Sequence, residues 1–182
     1  KYDLESLHAQ IGYVAQKAHM FKGSIQSNIC FGKPDASEEE MVHAATIAQA
    51  SDFILKREHG YEDEIAEDGT NISGGQKQRL SIARVILKKP SLYIYDDSFS
   101  ALDFKTDATL RKALKPEVKD AIFFVVAQRI STIMDSDMII VLDEGQIIGM
   151  GTHAQLLKDC SVYQEIAHSQ LTQKELDDYE RN

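Results

Sequence analysis

Two neighbouring aspartates, Asp96 and Asp97, stand directly after a short apolar run, Leu92 to Tyr95. A continuous apolar run of this length predicts a strand that is buried on both faces, as in a parallel sheet. Parallel sheets bind ligands at the carboxyl ends of their strands, so both carboxylates are predicted to lie at a binding edge. Carboxylates at such an edge suit Mg²⁺ and therefore phosphoryl chemistry.

A polar glycine pair precedes that strand, in the stretch Ser73 to Gln76. Ser73 can cap a helix whose first turn has no side chains at Gly74 and Gly75. Backbone N–H groups at the N-terminus of a helix form an anion site. The next residues, Lys77 to Lys89, are amphipathic, which predicts that one face of this helix packs on a core. An anion site beside a Mg²⁺-type carboxylate again indicates phosphoryl transfer.

The order and spacing of these segments resemble the nucleotide-binding domain of ABC transporters. ISGGQKQR at 72–79 resembles that family's signature motif, LYIYDD at 92–97 its Walker B motif, and SALD at 100–103 its D-loop. Three such motifs in order are highly specific. The resemblance implies an α/β fold of the P-loop NTPase type, with a mostly parallel sheet. It also implies a helical subdomain, 23–88, inserted in a core formed by 1–22 and 89–182.

The same resemblance implies a site for ATP and Mg²⁺. Asp96 is expected to bind the metal ion through water, and Asp97 to polarise the attacking water. Gln16 follows a predicted strand at the position of the family's Q-loop glutamine, which touches the metal ion or the water. Gln128 stands where the switch histidine is usual. The residues expected to contact a partner's nucleotide or the dimer face are Ser73, Gly74, Gly75, Gln76 and Asp103.

A further stretch, GSIQSNI at 23–29, resembles the exporter subgroup of the family. The implied function is the coupling of ATP binding and hydrolysis to efflux of drugs or lipids, at the cytoplasmic face of the membrane. The implied partners are a transmembrane domain and a second nucleotide-binding domain. Two alternatives are a non-catalytic regulatory or dimerisation module and a soluble ABC-type ATPase that acts on DNA or ribosomes.

Three departures from the family pattern modify this prediction. No G-x-x-x-x-G-K-[ST] stretch occurs in the 182 residues, so we expect a fragment that lacks the Walker A region and the strands before it, and that is inactive when isolated. Asp97 stands where glutamate is usual, and Gln128 cannot titrate as histidine does. Together these changes resemble the degenerate subunit of a heterodimeric exporter, which lends its signature motif to the competent site of the partner.

Composition sets outer limits on function. The chain has 182 residues, 43% of them hydrophobic, which is enough for one domain with a core. Its net charge of −9 argues against a nucleic-acid groove. Two cysteines form neither a disulfide framework nor a metal pattern, and the histidines show no metal spacing. The longest apolar run, Ala121 to Ala127, is far too short to span a bilayer.

The remaining predictions concern individual elements. No start signal precedes a strand at Ala9 to Ala15, whereas Ser37 and Glu40 form a capping box that begins a helix. A polar loop at 60–71 precedes the signature, and Pro116 is expected to end the helix that follows Asp103. His153 is interpreted as a turn or cap residue. The other predicted elements are a short helix at 52–58, buried strands at 121–127 and 138–142, a hairpin turn at 143–145 and a frayed tail at 171–182.

The two later strands, Ala121 to Ala127 and Met138 to Leu142, carry one more expectation. In the family the P-loop strand lies between them, and both are apolar runs built to pair on both edges. Without that strand, we expect the isolated chain either to pair the two strands directly or to self-associate by exchanging a strand with another copy.

Overall fold

The structure of the protein is a computed structural model, which describes residues 3–172. The helices in that range are α1 (Leu4–Gln10), α2 (Ile25–Cys30), α3 (Glu38–Ile47), α4 (Ser51–Ile54), α5 (Gly74–Lys88), α6 (Phe104–Glu117), α7 (Ile130–Ile133), α8 (His153–Asp159) and α9 (Ser161–Gln170). The strands are β1 (Ile11–Val14), β2 (Gly23–Ser24), β3 (Glu64–Ile65), β4 (Leu92–Asp96), β5 (Ile122–Val126), β6 (Ile139–Asp143) and β7 (Gln146–Gly151).

The chain divides into two compact units, 1–126 and 127–182. The first contains the parallel sheet, the glycine pair and both aspartates, and the second contains the β6–β7 hairpin with α7, α8 and α9. The predicted helical subdomain, 23–88, falls within the first unit, and its existence as a separate subdomain stays a prediction. Most of the predicted tail at 171–182 lies outside the described residues.

Three parallel strands form the sheet of the first unit, in the order β1–β4–β5. Val14 of β1 is level with Tyr95 of β4, and Asp96 is level with Val126 of β5. The three carboxyl ends therefore lie at one edge, as the α/β prediction requires. One face of this sheet belongs to the main core, in which Val14, Tyr93 and Tyr95 are buried with residues of the surrounding helices.

The prediction that these strands are buried on both faces is wrong. On β5, Ile122, Phe124 and Val126 are 69%, 50% and 45% exposed, and in β4 residues alternate between buried and half-buried. A strand becomes buried on both faces only where other elements cover both. In the described part of the chain, the face that carries these side chains is left open to solvent.

Direct pairing of the two later strands is also wrong. Within 3–172, β5 pairs with β4, whereas β6 pairs with β7 as an antiparallel hairpin. Glu144 and Gly145 both have positive φ, 45° and 77°, which is the backbone conformation that a tight hairpin turn needs. β6 is not fully buried either, since Ile140 and Leu142 are exposed. The exchange of a strand between copies stays a prediction.

Three helix boundaries differ from the predictions, and the simplest case is the short helix predicted at 52–58, which is α4 and ends at Ile54. Residues Leu4–Gln10 are helical because Asp3 supplies an N-cap whose carboxylate accepts a hydrogen bond from the backbone N–H of Ser6 at 3.1 Å, so a start signal is present and the strand begins only at Ile11. α6 continues past Leu114 to Glu117, with Pro116 inside its last turn. A proline there removes one backbone donor and leaves the preceding turns intact.

The interpretation of His153 as a turn or cap residue is wrong as well. Thr152 caps α8, and His153 is the first residue of that helix, with 2% of its surface exposed. Its ring nitrogen Nδ1 and the hydroxyl of Tyr163 lie 2.6 Å apart in a buried hydrogen bond between α8 and α9. Burial lowers the pKa of His153, and the charge of Asp135 opposes that effect. His153 therefore stabilises the core of the second unit.

Among residues 3–172, no helix is both long enough and apolar enough to cross a membrane.

Candidate functional site

The two aspartates lie at the carboxyl end of β4, where their side chains differ in exposure and partner. Asp96 is half-buried, and its Oδ2 accepts a hydrogen bond from the hydroxyl of Tyr13 on β1 at 2.8 Å. That bond raises the pKa of Tyr13, with smaller contributions from burial and from the charge of Asp96. Asp97 is buried, and its backbone N–H donates to the carbonyl of Val126 at 2.9 Å.

The backbone of Asp97 adopts a left-handed conformation, with φ of 44°. This conformation costs most residues energy, but Asp and Asn are several-fold enriched in it because a short polar side chain can bond locally. The turn sends the chain away from the sheet directly after the strand. It also leaves the two neighbouring carboxylates in different environments, one half-buried beside Tyr13 and one buried.

Gln16, which the family resemblance assigns to the Q-loop position, lies beside Asp97. Its Nε2 donates a hydrogen bond to Oδ2 of Asp97 at 3.2 Å, from the loop that follows β1. The structure therefore brings Gln16, Asp96 and Asp97 together at one edge. Because the amide of Gln16 donates through its nitrogen, its oxygen is the atom that can accept from water or bind a cation.

The oxygen-rich chemistry of this edge fits Mg²⁺. Mg²⁺ binds oxygen ligands and is usually held by one or two carboxylates, several waters and phosphate oxygens. Asp96, Asp97 and Gln16 offer oxygen ligands of this kind. Among residues 3–172 there is no group of three or more His, Cys, Asp and Glu side chains that could hold a metal ion. These residues therefore fit a cation that shares its coordination with a phosphate.

The glycine pair opens α5, as predicted, and Ser73 is its N-cap. The backbone N–H of Gln76 donates to Oγ of Ser73 at 3.2 Å, and the Oε1 of Gln76 accepts from the backbone N–H of Ser73 at 3.0 Å. This capping box fixes both side chains at an exposed helix N-terminus. A side chain at Gly74 would meet open space, and one at Gly75 would come within 3.3 Å of the carbonyl of Ala101.

Asp103 is the N-cap of α6. Its carboxylate accepts from the backbone N–H of Thr106 at 3.0 Å and from the hydroxyl of Thr106 at 2.7 Å, and these bonds lower its pKa. The contact of Asp103 with a dimer partner stays a prediction. Gln128 belongs to the second unit, where it is exposed and its carbonyl accepts from Nε2 of Gln170 at 2.9 Å. Its role in place of a histidine also stays a prediction.

Sequence reasoning missed three residues that hold this site. Tyr13 binds Asp96, Ser98 donates to the carbonyl of Val14 at 2.9 Å, and Gln78 donates through Nε2 to the carbonyl of Ala15 at 3.1 Å. Ser98 and Gln78 are buried, with 0% and 1% of their surfaces exposed. The only sequence signal for Gln78 was its position as a polar residue on the apolar face of the predicted helix. The sequence carried no signal for the backbone carbonyls that Gln78 and Ser98 bind.

Comparisons with known proteins agree with this geometry. The sequence family described as "ABC transporter" matches residues 1–100. The chain is 45% identical over 165 residues to a putative multidrug export ATP-binding/permease protein of Bacillus subtilis, covering 91% of this chain and 28% of that protein. It is 43% identical over 173 residues to an uncharacterized ABC transporter ATP-binding protein of Mycobacterium bovis, covering 93% of this chain and 29% of that protein.

A solved structure gives the same result for the fold. The structure of a bacterial Atm1-family ABC exporter with ATP bound superposes with a TM-score of 0.88 and is 36% identical, covering 93% of this chain and 30% of that one. The chain thus spans less than a third of the length of the proteins that it matches.

Proposed function

The chain belongs to the ABC transporter family, and from this premise we propose that it is the nucleotide-binding part of an exporter, in which ATP binding and hydrolysis drive efflux. One observation carries the proposal. The hydrogen bond from Gln16 to Asp97, beside Asp96 at the carboxyl end of β4, unites the Q-loop position with the Walker B carboxylates. The multidrug-export name of one relative supports drugs as cargo.

In this proposal each residue of the edge has one task. Bound Mg²⁺ supplies positive charge that neutralises the phosphate oxygens. Asp96 would hold the ion through water, and Tyr13 orients that carboxylate. Asp97 would polarise the attacking water, and Gln16 holds the Asp97 carboxylate through its nitrogen, which leaves its oxygen as an acceptor for water or a ligand for the ion.

We further propose that this chain contributes the weaker of two ATP sites. Aspartate at 97 carries the charge of glutamate on a side chain that is one methylene shorter, and a displacement of about 1 Å can cost on the order of a hundredfold in rate. Gln128 can donate and accept hydrogen bonds but cannot take up a proton near neutral pH. The resemblance assigns both residues to catalytic motifs that depart from the family pattern, whereas Ser73, Gly74, Gly75 and Gln76 form an intact capped N-terminus.

That combination suits a chain that hydrolyses slowly at its own site and offers α5 to the ATP of a partner. The N–H groups of the first turn of α5 and the dipole of this 15-residue helix favour a phosphate. Open space at Gly74 leaves room for it. The proposed partners are a transmembrane domain and a second nucleotide-binding domain, and the proposed location is the cytoplasmic face of the membrane.

Photolabelling with azido-ATP in the full-length exporter tests the proposal. Asp96→Asn should abolish the Mg²⁺-dependent labelling of this chain, because it removes the carboxylate charge at the metal site. Asp143→Asn is a matched control, since Asp143 is an exposed carboxylate at the end of another strand, β6. Labelling of Asp96→Asn at the level of the wild type would contradict the proposal.

A further inference from the structure

The two backbone carbonyls immediately before Gln16 are each held by one buried side chain from a different element. Oγ of Ser98, in the loop after β4, donates to the carbonyl of Val14 at 2.9 Å. Nε2 of Gln78, on α5, donates to the carbonyl of Ala15 at 3.1 Å. Because both donors are buried, no solvent competes for these bonds. The backbone that leads into Gln16 is therefore set by two other elements of the site.

α5 is also attached to β1 at its other end. Nζ of Lys88 donates to the carbonyl of Ile11 at 2.7 Å, so the helix is bonded near both termini to the two ends of β1. α5 and β1 are in close contact along their length, since a Cβ atom at Gly12 would lie 2.5 Å from a side-chain carbon of Val85. A shift of α5 must consequently move β1 or break these bonds, because packed interfaces are bistable rather than soft.

From these contacts we propose that Gln78 is a positioning residue that transmits the position of α5 to Gln16 and Asp97. The connection consists of the Gln78–Ala15 bond, one peptide unit and the bond from Gln16 to Asp97. This inference rests on the proposed function, in which the N-terminus of α5 binds the nucleotide of a partner. A nucleotide bound at the N-terminus of α5 is thereby connected to Asp97, the proposed catalytic carboxylate of this chain's own site, through two hydrogen bonds.

Gln78→Met in the full-length exporter tests the proposal, since methionine has a similar length and no donor. We expect kcat at this chain's own site, measured with hydrolysis at the partner's site blocked, to fall about tenfold, as for the loss of a buried hydrogen bond, while KM for ATP at that site stays unchanged. Hydrogen exchange should show ATP-induced protection at 73–78 as in the wild type, and loss of that protection at 14–17. If Gln78 only stabilised the fold, its replacement would change the ATP-induced protection at 73–78 and at 14–17 alike.

Gln164→Met is the matched control. Nε2 of Gln164, a half-buried residue of the second unit, donates to the carbonyls of Leu157 at 2.7 Å and Lys158 at 3.3 Å, so the same substitution again removes a side-chain donor from backbone carbonyls. We expect no change in kcat or in protection at 14–17. If Gln78→Met does not fold, Gln78→Asn tests the same bond, because its amide stands one methylene further back from the Ala15 carbonyl, with the same expected loss of protection at 14–17.

The outcomes separate this inference from the proposed function. ATP-induced protection at 14–17 that persists in a folded Gln78→Met protein, or in Gln78→Asn where Gln78→Met does not fold, would overturn the positioning role. Absence of ATP-induced protection at 73–78 in the wild type would instead contradict the proposed function itself.

Discussion

The side-chain nitrogen of Gln16 donates a hydrogen bond to Oδ2 of Asp97 at 3.2 Å, although 81 positions separate them in the chain. The parallel pairing of β1 with β4 makes this contact possible, because it aligns the loops that follow the two strands. Asp97 also carries a positive φ and a buried carboxylate, so its position is set by both backbone and side chain.

The double change Asp97→Glu with Gln128→His should raise hydrolysis at the site of this chain in the proposed heterodimer. Glutamate moves the carboxylate one methylene further from the backbone, and histidine restores a group that titrates near neutral pH. Single-site turnover, measured with the partner's site inactivated, is the readout. Turnover equal to that of the unchanged chain would count against a degenerate site.

Ser73→Ala should lower hydrolysis at the partner's site. It removes the N-cap hydrogen bond of α5 and costs about 1 kcal/mol of stability, besides the proposed contact with nucleotide. Ser37→Ala is the matched control, because Ser37 and Glu40 form the same capping box on α3. We expect a similar loss of stability in both variants but reduced ATPase activity only in Ser73→Ala. Equal activities would exclude a role for Ser73 beyond capping.

Tyr95→Phe should stabilise the protein or leave its stability unchanged. The Tyr95 hydroxyl is fully buried, and within the described residues it has no hydrogen-bond partner, so removing it removes a desolvated polar group. Tyr163→Phe is the control, because it deletes the bond to His153 and should cost about 1 kcal/mol. Denaturant unfolding of both variants measures the difference. A clear loss of stability in Tyr95→Phe would disprove this interpretation.

The same residue predicts a pH dependence at the alkaline end. Burial raises the pKa of Tyr95 in the folded state above its ordinary value of about 10. The stability that comes from keeping this hydroxyl neutral is fully present below that ordinary value and is lost as the pH rises above it. Above about pH 10, the melting temperature of Tyr95→Phe should therefore fall less steeply with pH than that of the wild type. An equally steep fall would show that Tyr95 does not contribute to the alkaline loss of stability.

The 182-residue chain by itself should bind Mg-ATP only in the millimolar range or not at all. It has the carboxylates and the capped glycines but no G-x-x-x-x-G-K-[ST] stretch to cradle the β- and γ-phosphates. Calorimetric titration measures this directly. Low-micromolar affinity would show that the described edge suffices for binding.

Local patterns predicted the elements that depend on neighbouring residues. The capping box at Ser37 and the N-cap at Ser73 occur as the sequence indicated, and so does the strand that ends in Asp96. Errors arose where a local signal was read too narrowly or where burial was involved. The Asp3 cap of α1 was overlooked, and the apolar run of β5 was expected to be covered on both faces although one face is exposed.

The sequence by itself determined the order of the motifs, the caps of the helices and the presence of carboxylates at the end of a strand, because each depends on a few adjacent residues. Only the tertiary structure decided which atoms meet. Gln78 binds the carbonyl of Ala15, which is 63 positions away, and Ser98 binds that of Val14, which is 84 positions away. A backbone carbonyl is the same at every residue, so no side-chain pattern can name such a partner; the packing of α5 and β4 against β1 selects it.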